Sequence, residues 1–146
     1  MKFIDQLKEK AKQNKKTIVL PETSDMRTIE AAGKVLAEGI ANIILVGDKE
    51  DIMSRAGDID LSGASFVDPK NYEKFDEYVD AFVEMRRKKG MTEARAKELL
   101  LTNPLYFGCM MVKQDDADGM VAGAINASAD VLRAALQTCL LYTSPS

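Results

Sequence analysis

Apolar residues recur along this chain at two spacings, one helical and one strand-like. Phe3, Ile4, Leu7 and Ala11 fall at helical intervals, so residues 2–13 predict an amphipathic helix, and the following KQNKK reads as its solvated end and a turn. TIVL (17–20) is a short β-branched run that predicts a buried strand, ended by Pro21. Thr23, Ser24 and Asp25 offer N-capping oxygens. Met26, Ile29, Ala32, Val35 and Leu36 then form one face of a helix running to Glu38, with Gly39 as its stop. NIILVG (42–47) predicts a second strand, and Asp48 can cap a helix near 49–56. ASFV (64–67) predicts a third strand. Residues 72–88 read as a long helix with Phe75, Tyr78, Val79, Phe82 and Met85 inward, and Gly90 ends it. Thr92 can cap a helix at 93–101, and Pro104 can open the apolar stretch 104–114. GMVAG (119–123) predicts a fourth strand and residues 129–137 a last helix.

Strands that alternate with helices predict an α/β fold in three layers, a largely parallel sheet flanked by helices. In such sheets ligands bind beyond the carboxyl ends of the strands. The loops to watch are therefore 21–26, 47–49, 68–71 and 122–129.

Composition narrows the chemistry. The 146 residues are 46% hydrophobic and 29% charged, a globular composition long enough for one domain of ordinary size. The net charge of −3 and the lack of a long basic block argue against a nucleic-acid partner. MKFIDQLKEK has no apolar signal region, and the aliphatic runs are too short to span a membrane. Cys109 and Cys139 form neither a disulfide framework nor a zinc spacing, which fits a reducing cytoplasm. With no histidine in the chain, Ser-His-Asp and Cys-His nucleophilic sites and His-ligated metals are excluded. No metal site is expected.

The candidate chemistry lies in the arginines. Arg27 stands in the first turn of its helix, where the positive end of the helix dipole disfavours a cation. Arg133 repeats the pattern after Gly123, a polar loop and Ser128 as cap. A cation beside a helix N-terminus makes sense if an anion sits between them, because backbone N–H groups and a guanidinium can share phosphate oxygens. Pairing with a nearby acid (Asp25, Glu30 or Asp130) is the competing reading. Arg86 and Arg87, in EMRRKKG, read from pattern alone as a solvated helix end. GAINASAD is suited to close backbone approach to a ligand, yet it carries neither the dinucleotide fingerprint nor the P-loop spacing. Cys109 reads as a buried thiol in YFGCMM, and KQDDADG as a solvated helix-to-strand connection.

The segments LPETSDMR, SFVDPKNY, EMRRKKG and GAINASADVLRAALQ, in this order and spacing, resemble the N-terminal part of the phosphate acetyltransferase family. The likeness covers residues 2–137. Phosphate butyryltransferases share the fold and some of these features. The resemblance implies a two-domain acyltransferase subunit that forms a cytoplasmic homodimer. It implies acetyl transfer between acetyl phosphate and coenzyme A, with CoA a substrate, phosphate the other product, and no bound cofactor or metal. It implies that Arg27 binds CoA, that Arg86 and Arg133 are catalytic, Arg133 holding the acyl phosphate oxygens, and that Asn126 and Ser128 line that site. The family's general base, an aspartate, belongs to its C-terminal part.

The pattern breaks after LRAALQ, where the text becomes TCLLYTSPS. Residues 1–137 are read as an incomplete N-terminal α/β domain and 138–146 as a non-native or divergent tail. The 146-residue chain alone is then expected to lack turnover and to expose apolar surface. The other readings are a non-catalytic domain that binds a phosphorylated metabolite, and an acyltransferase-like domain appended to another enzyme.

Overall fold

The computed structural model describes residues 3–123. The helix expected at 129–137, the tail, and Asn126, Ser128 and Arg133 lie outside the described residues. Helix α1 (Phe3–Gln13) leads into β1 (Lys16–Leu20), α2 (Met26–Glu38), β2 (Ala41–Val46), α3 (Lys49–Ala56) and β3 (Ser65–Val67). Helices α4 (Phe75–Arg86), α5 (Glu93–Thr102) and α6 (Pro104–Lys113) follow, and then β4 (Gly119–Met120). The strands form one parallel sheet in the order β3-β2-β1-β4.

Strand alternation sorts the core into two halves. Val19, Ile44 and Val46 face one side, where they pack with Tyr78, Phe82, Leu100, Phe107 and Met110 of α4, α5 and α6. Leu20, Ile43 and Leu45 face the other, against Ile29 and Ala32 of α2 and Ile52 and Ala56 of α3. The sheet is thus the middle of three layers. Both faces of its strands are apolar, as a parallel sheet covered on two sides requires.

Local chemistry sets the boundaries. Asp25 caps α2 by accepting the Arg27 backbone N–H at 2.8 Å, and Gly39 closes the helix at φ 68°. Thr92 caps α5, and Asn103 caps α6 ahead of Pro104. The helix expected over 72–88 is shorter. Asp68 and Pro69 make a 3-10 turn at 69–71, Tyr72 is extended, and residues 87–89 tighten into a second 3-10 turn. Tyr72 leaves helical geometry and sets its ring edge-on to Tyr78 and Phe107.

Two further differences stand out. Helix α1 forms as expected, but none of its residues is buried; Phe3, Ile4 and Leu7 are 74%, 58% and 49% exposed. A Lys8–Glu38 ion pair at 2.7 Å ties it to α2. The fourth strand, expected over five residues, pairs with β1 only through Gly119 and Met120. One more ladder bond, Val121 N–H to the Val19 carbonyl at 3.1 Å, closes the pairing.

Candidate functional site

The strand order makes a switch point. From β1 the chain steps outward to β2 and β3, then returns to lay β4 on the opposite side of β1. The crevice at the carboxyl ends of β1 and β4 is therefore where open parallel sheets receive ligands. Pro21 ends β1. Glu22, only 4% exposed, turns inward, and Thr23 donates its hydroxyl to the Val46 carbonyl at 2.6 Å. A small hollow of about 150 Å³ lies here, with Leu20, Glu22, Arg27, Thr28, Val121 and Ala122 in its walls.

Arg27 is thus brought to the crevice, but it is held by an acid. Its Nη2 lies 2.7 Å from Asp25 Oδ2, and its Nε lies 3.1 Å from Oδ1. One carboxylate therefore both caps α2 and pairs with the guanidinium. That pairing keeps the Asp25 carboxyl below its ordinary range and raises Arg27 further. The Arg27 side chain remains 71% exposed, so a phosphate can reach it by sharing or displacing Asp25. The acid-pair reading describes the geometry without a ligand, and it leaves the anion reading its surface.

Arg86 occupies the last turn of α4. Its Nε is buried and meets no hydrogen-bond acceptor among the described residues. Buried N–H groups of this kind call for an explanation, and an anion would satisfy this one. Arg87 differs: it pairs with Glu84 at 2.6 Å, with both side chains more than two-thirds exposed. Pattern alone groups the two as a solvated helix end. The structure separates them.

A larger cleft of about 540 Å³ opens beside the crevice, over the ends of β1 and β2. Its walls include Glu22, Thr23, Asp48, Asp68, Lys70 and Asn103, and neither Arg27 nor Arg86 lines it. Asp48 and Asp68 stand among its acids, so the charge there is mixed. Among the described residues no group of three or more His, Cys, Asp or Glu side chains could hold a metal, and no helix is long and apolar enough to cross a membrane. Cys109 is buried, 4.0 Å from the Met120 sulfur.

Sequence reasoning missed three acids. Glu22 accepts the Gly123 N–H at 2.6 Å, across the mouth of the crevice. Asp116, expected in a solvated connection, instead accepts from Lys74 Nζ at 2.6 Å and from the buried Tyr78 hydroxyl. Asp118, in the same connection, accepts the Thr17 N–H at 2.8 Å and so fixes the start of β1. The only advance signal was an acid directly after a strand-ending proline in LPE, and acids directly before a strand in DDADG.

Comparison with known proteins decides the family. The sequence pattern of the phosphate acetyl/butaryl transferases matches residues 2–143. The chain belongs to that family. It is 49% identical to the phosphate acetyltransferase of Acetivibrio thermocellus, over 99% of this chain and 43% of that protein. It is 50% identical to the phosphate acetyltransferase of Thermoanaerobacterium thermosaccharolyticum over the same shares. Among solved structures, the EutD phosphotransacetylase of Staphylococcus aureus superposes with a TM-score of 0.81 at 38% identity. That match covers 92% of this chain and 41% of the other. A phosphotransacetylase from Streptococcus pyogenes superposes at 0.83 and 35% identity, over 94% and 43%. The chain spans less than half the length of these members of the phosphate acetyl/butaryl transferase family. The parallel sheet of its described residues is the fold those structures share with it.

Proposed function

We propose that this chain supplies the N-terminal share of a phosphate acetyltransferase, which moves an acetyl group reversibly between acetyl phosphate and coenzyme A. The coincidence that carries the reading is structural. Within a chain of this family, Arg27 stands at the switch-point crevice, and Val121 and Ala122, which follow β4 and precede Asn126, Ser128 and Arg133 in the sequence, line the same hollow. Arg27 binds a phosphate of CoA, and Asn126 and Ser128 line the acyl phosphate site.

The CoA thiolate attacks the acetyl carbonyl carbon. The C–S bond forms, the C–O bond to phosphorus breaks, and phosphate leaves with the electron pair. Negative charge grows on the carbonyl oxygen and on the leaving phosphate. Arg86 and Arg133 stabilise both, as preorganised guanidinium groups do without reorganising during the step. The thiol proton must pass to a base, since the thiolate is the nucleophile. No residue of this chain is assigned that role. The protein acts in the cytoplasm as a homodimer.

The family description spans acetyl and butyryl transfer, so acyl length belongs in the test. Residues 1–137 are joined to the remainder of the Acetivibrio thermocellus relative, in place of its matching segment. The chimera is expected to form acetyl-CoA from acetyl phosphate and CoA, and to use butyryl phosphate more slowly. A folded chimera that binds CoA or acetyl phosphate without turnover would instead support a non-catalytic binding domain. Faster use of butyryl phosphate would move the chain to the butyryl branch.

A further inference from the structure

The geometry points to Glu22 as a positioning residue that stands in for a rung of the β-ladder and sets the opening between β1 and β4. In a parallel ladder the bonded residues advance by two. After the Val121 N–H to Val19 carbonyl bond, the next rung would join the Gly123 N–H to the Pro21 carbonyl. Instead the Gly123 N–H turns to the Glu22 Oε1 at 2.6 Å, between residues 101 apart in sequence. A side chain has replaced a backbone carbonyl at the point where the strands part.

The replacement has two consequences. A carboxylate reaches further than a carbonyl, so β4 is held while its backbone splays from β1, and the crevice stays open. The bond is also charge-assisted, and Glu22 is almost wholly enclosed, which strengthens it. Gly123 has φ 117°, a conformation that favours glycine, and among the described residues nothing lies within 4 Å of where its Cβ would stand. The residue that Glu22 grips is therefore one whose backbone a side chain would strain. That grip fixes where the chain leaves β4 on its way to Asn126 and Ser128. Glu22 touches neither reacting atom in this account; it acts through Gly123.

The kinetic half of this inference rests on the acetyl-transfer reading, so the test has a half that does not. Glu22→Ala and Glu22→Gln are compared with the parent in the 146-residue chain by amide hydrogen exchange, and in the chimera by kinetics. Glu22→Gln keeps an acceptor oxygen without the charge. In Glu22→Ala the Gly123 amide is expected to exchange roughly ten- to a hundredfold faster while amides of β1 and β2 stay protected; in Glu22→Gln the gain is about threefold. In the chimera, Glu22→Ala is expected to lower kcat and raise the KM for acetyl phosphate, and Glu22→Gln to restore most of the loss. Unchanged Gly123 exchange in Glu22→Ala would overturn the inference. So would a chimera whose kcat and KM ignore both substitutions. If the parent chimera has no turnover, the transfer reading fails, and the Gly123 exchange still decides for or against the rung.

Discussion

Arg86→Ala, made in the chimera, is expected to lower kcat by about a hundred- to a thousandfold, the usual effect of removing one preorganised donor from a developing oxyanion. The melting temperature should stay close to the parent's. The Arg86 Nε is buried, and no acceptor among the described residues reaches it. A buried donor without a partner is a cost in the free protein, one that an anionic substrate removes. Arg86→Lys should rescue little, because a point charge does not reproduce the planar fork of a guanidinium. Arg87→Ala is the control. Its ion pair with Glu84 is largely exposed, and such pairs contribute little to stability. Equal losses in Arg86→Ala and Arg87→Ala would return both residues to a solvated helix end.

Asp116→Ala is expected to destabilise the domain by about 2 kcal/mol, as loss of a buried hydrogen bond to a charged group does. Its side chain is 16% exposed and joins the start of α4 to the turn that feeds β4. Most of the loss comes from Tyr78, whose hydroxyl would keep only Tyr72, at 3.3 Å. Lys74 is 43% exposed and can turn to water, so its share is small. For a chain of this size the melting temperature should drop by roughly 4–8 °C. Burial pushes the Asp116 carboxyl up, but the bonds from Lys74 and Tyr78 outweigh it and hold it below its ordinary value. The stabilisation is therefore complete above the unfolded-state value near pH 4 and is lost as pH falls through the lower folded value. The parent's melting temperature should fall more steeply below about pH 4 than that of Asp116→Asn. Parallel profiles, or a melt unchanged in Asp116→Ala, would show that the network carries no stability.

What was legible in the sequence was periodic. Val19 and Leu20, or Ile44 and Leu45, tell by alternation that both faces of a strand are covered, and the α2 face and its Asp25 cap follow from spacing alone. The shortened α4 was not legible, because Tyr72 departs from the helix to reach Tyr78 and Phe107, contacts made only in the folded chain. The exposed face of α1 was hidden for the opposite reason: periodicity reports an apolar stripe, and burial depends on what packs against it. The site divided the same way. Arg27 draws notice in the sequence because a cation at a helix N-terminus breaks a local rule, and its Asp25 partner stands two residues away. Glu22 and Asp116 break no local rule. Their partners, Gly123 and the Lys74–Tyr78 pair, are distant in sequence, and an acid in a loop looks solvated until the fold closes over it.

The crevice between β1 and β4 is the proposed seat of the phosphate-bearing substrate. The most direct test is a CoA titration of the isotopically labelled 146-residue chain, followed amide by amide. Saturable shifts are expected at residues 22–28 and 121–123, weakened by Arg27→Ala and by omission of the 3′-phosphate of CoA. Shifts confined to the neighbouring cleft around Asp68, Lys70 and Asn103, with the β1–β4 crevice silent, would contradict it.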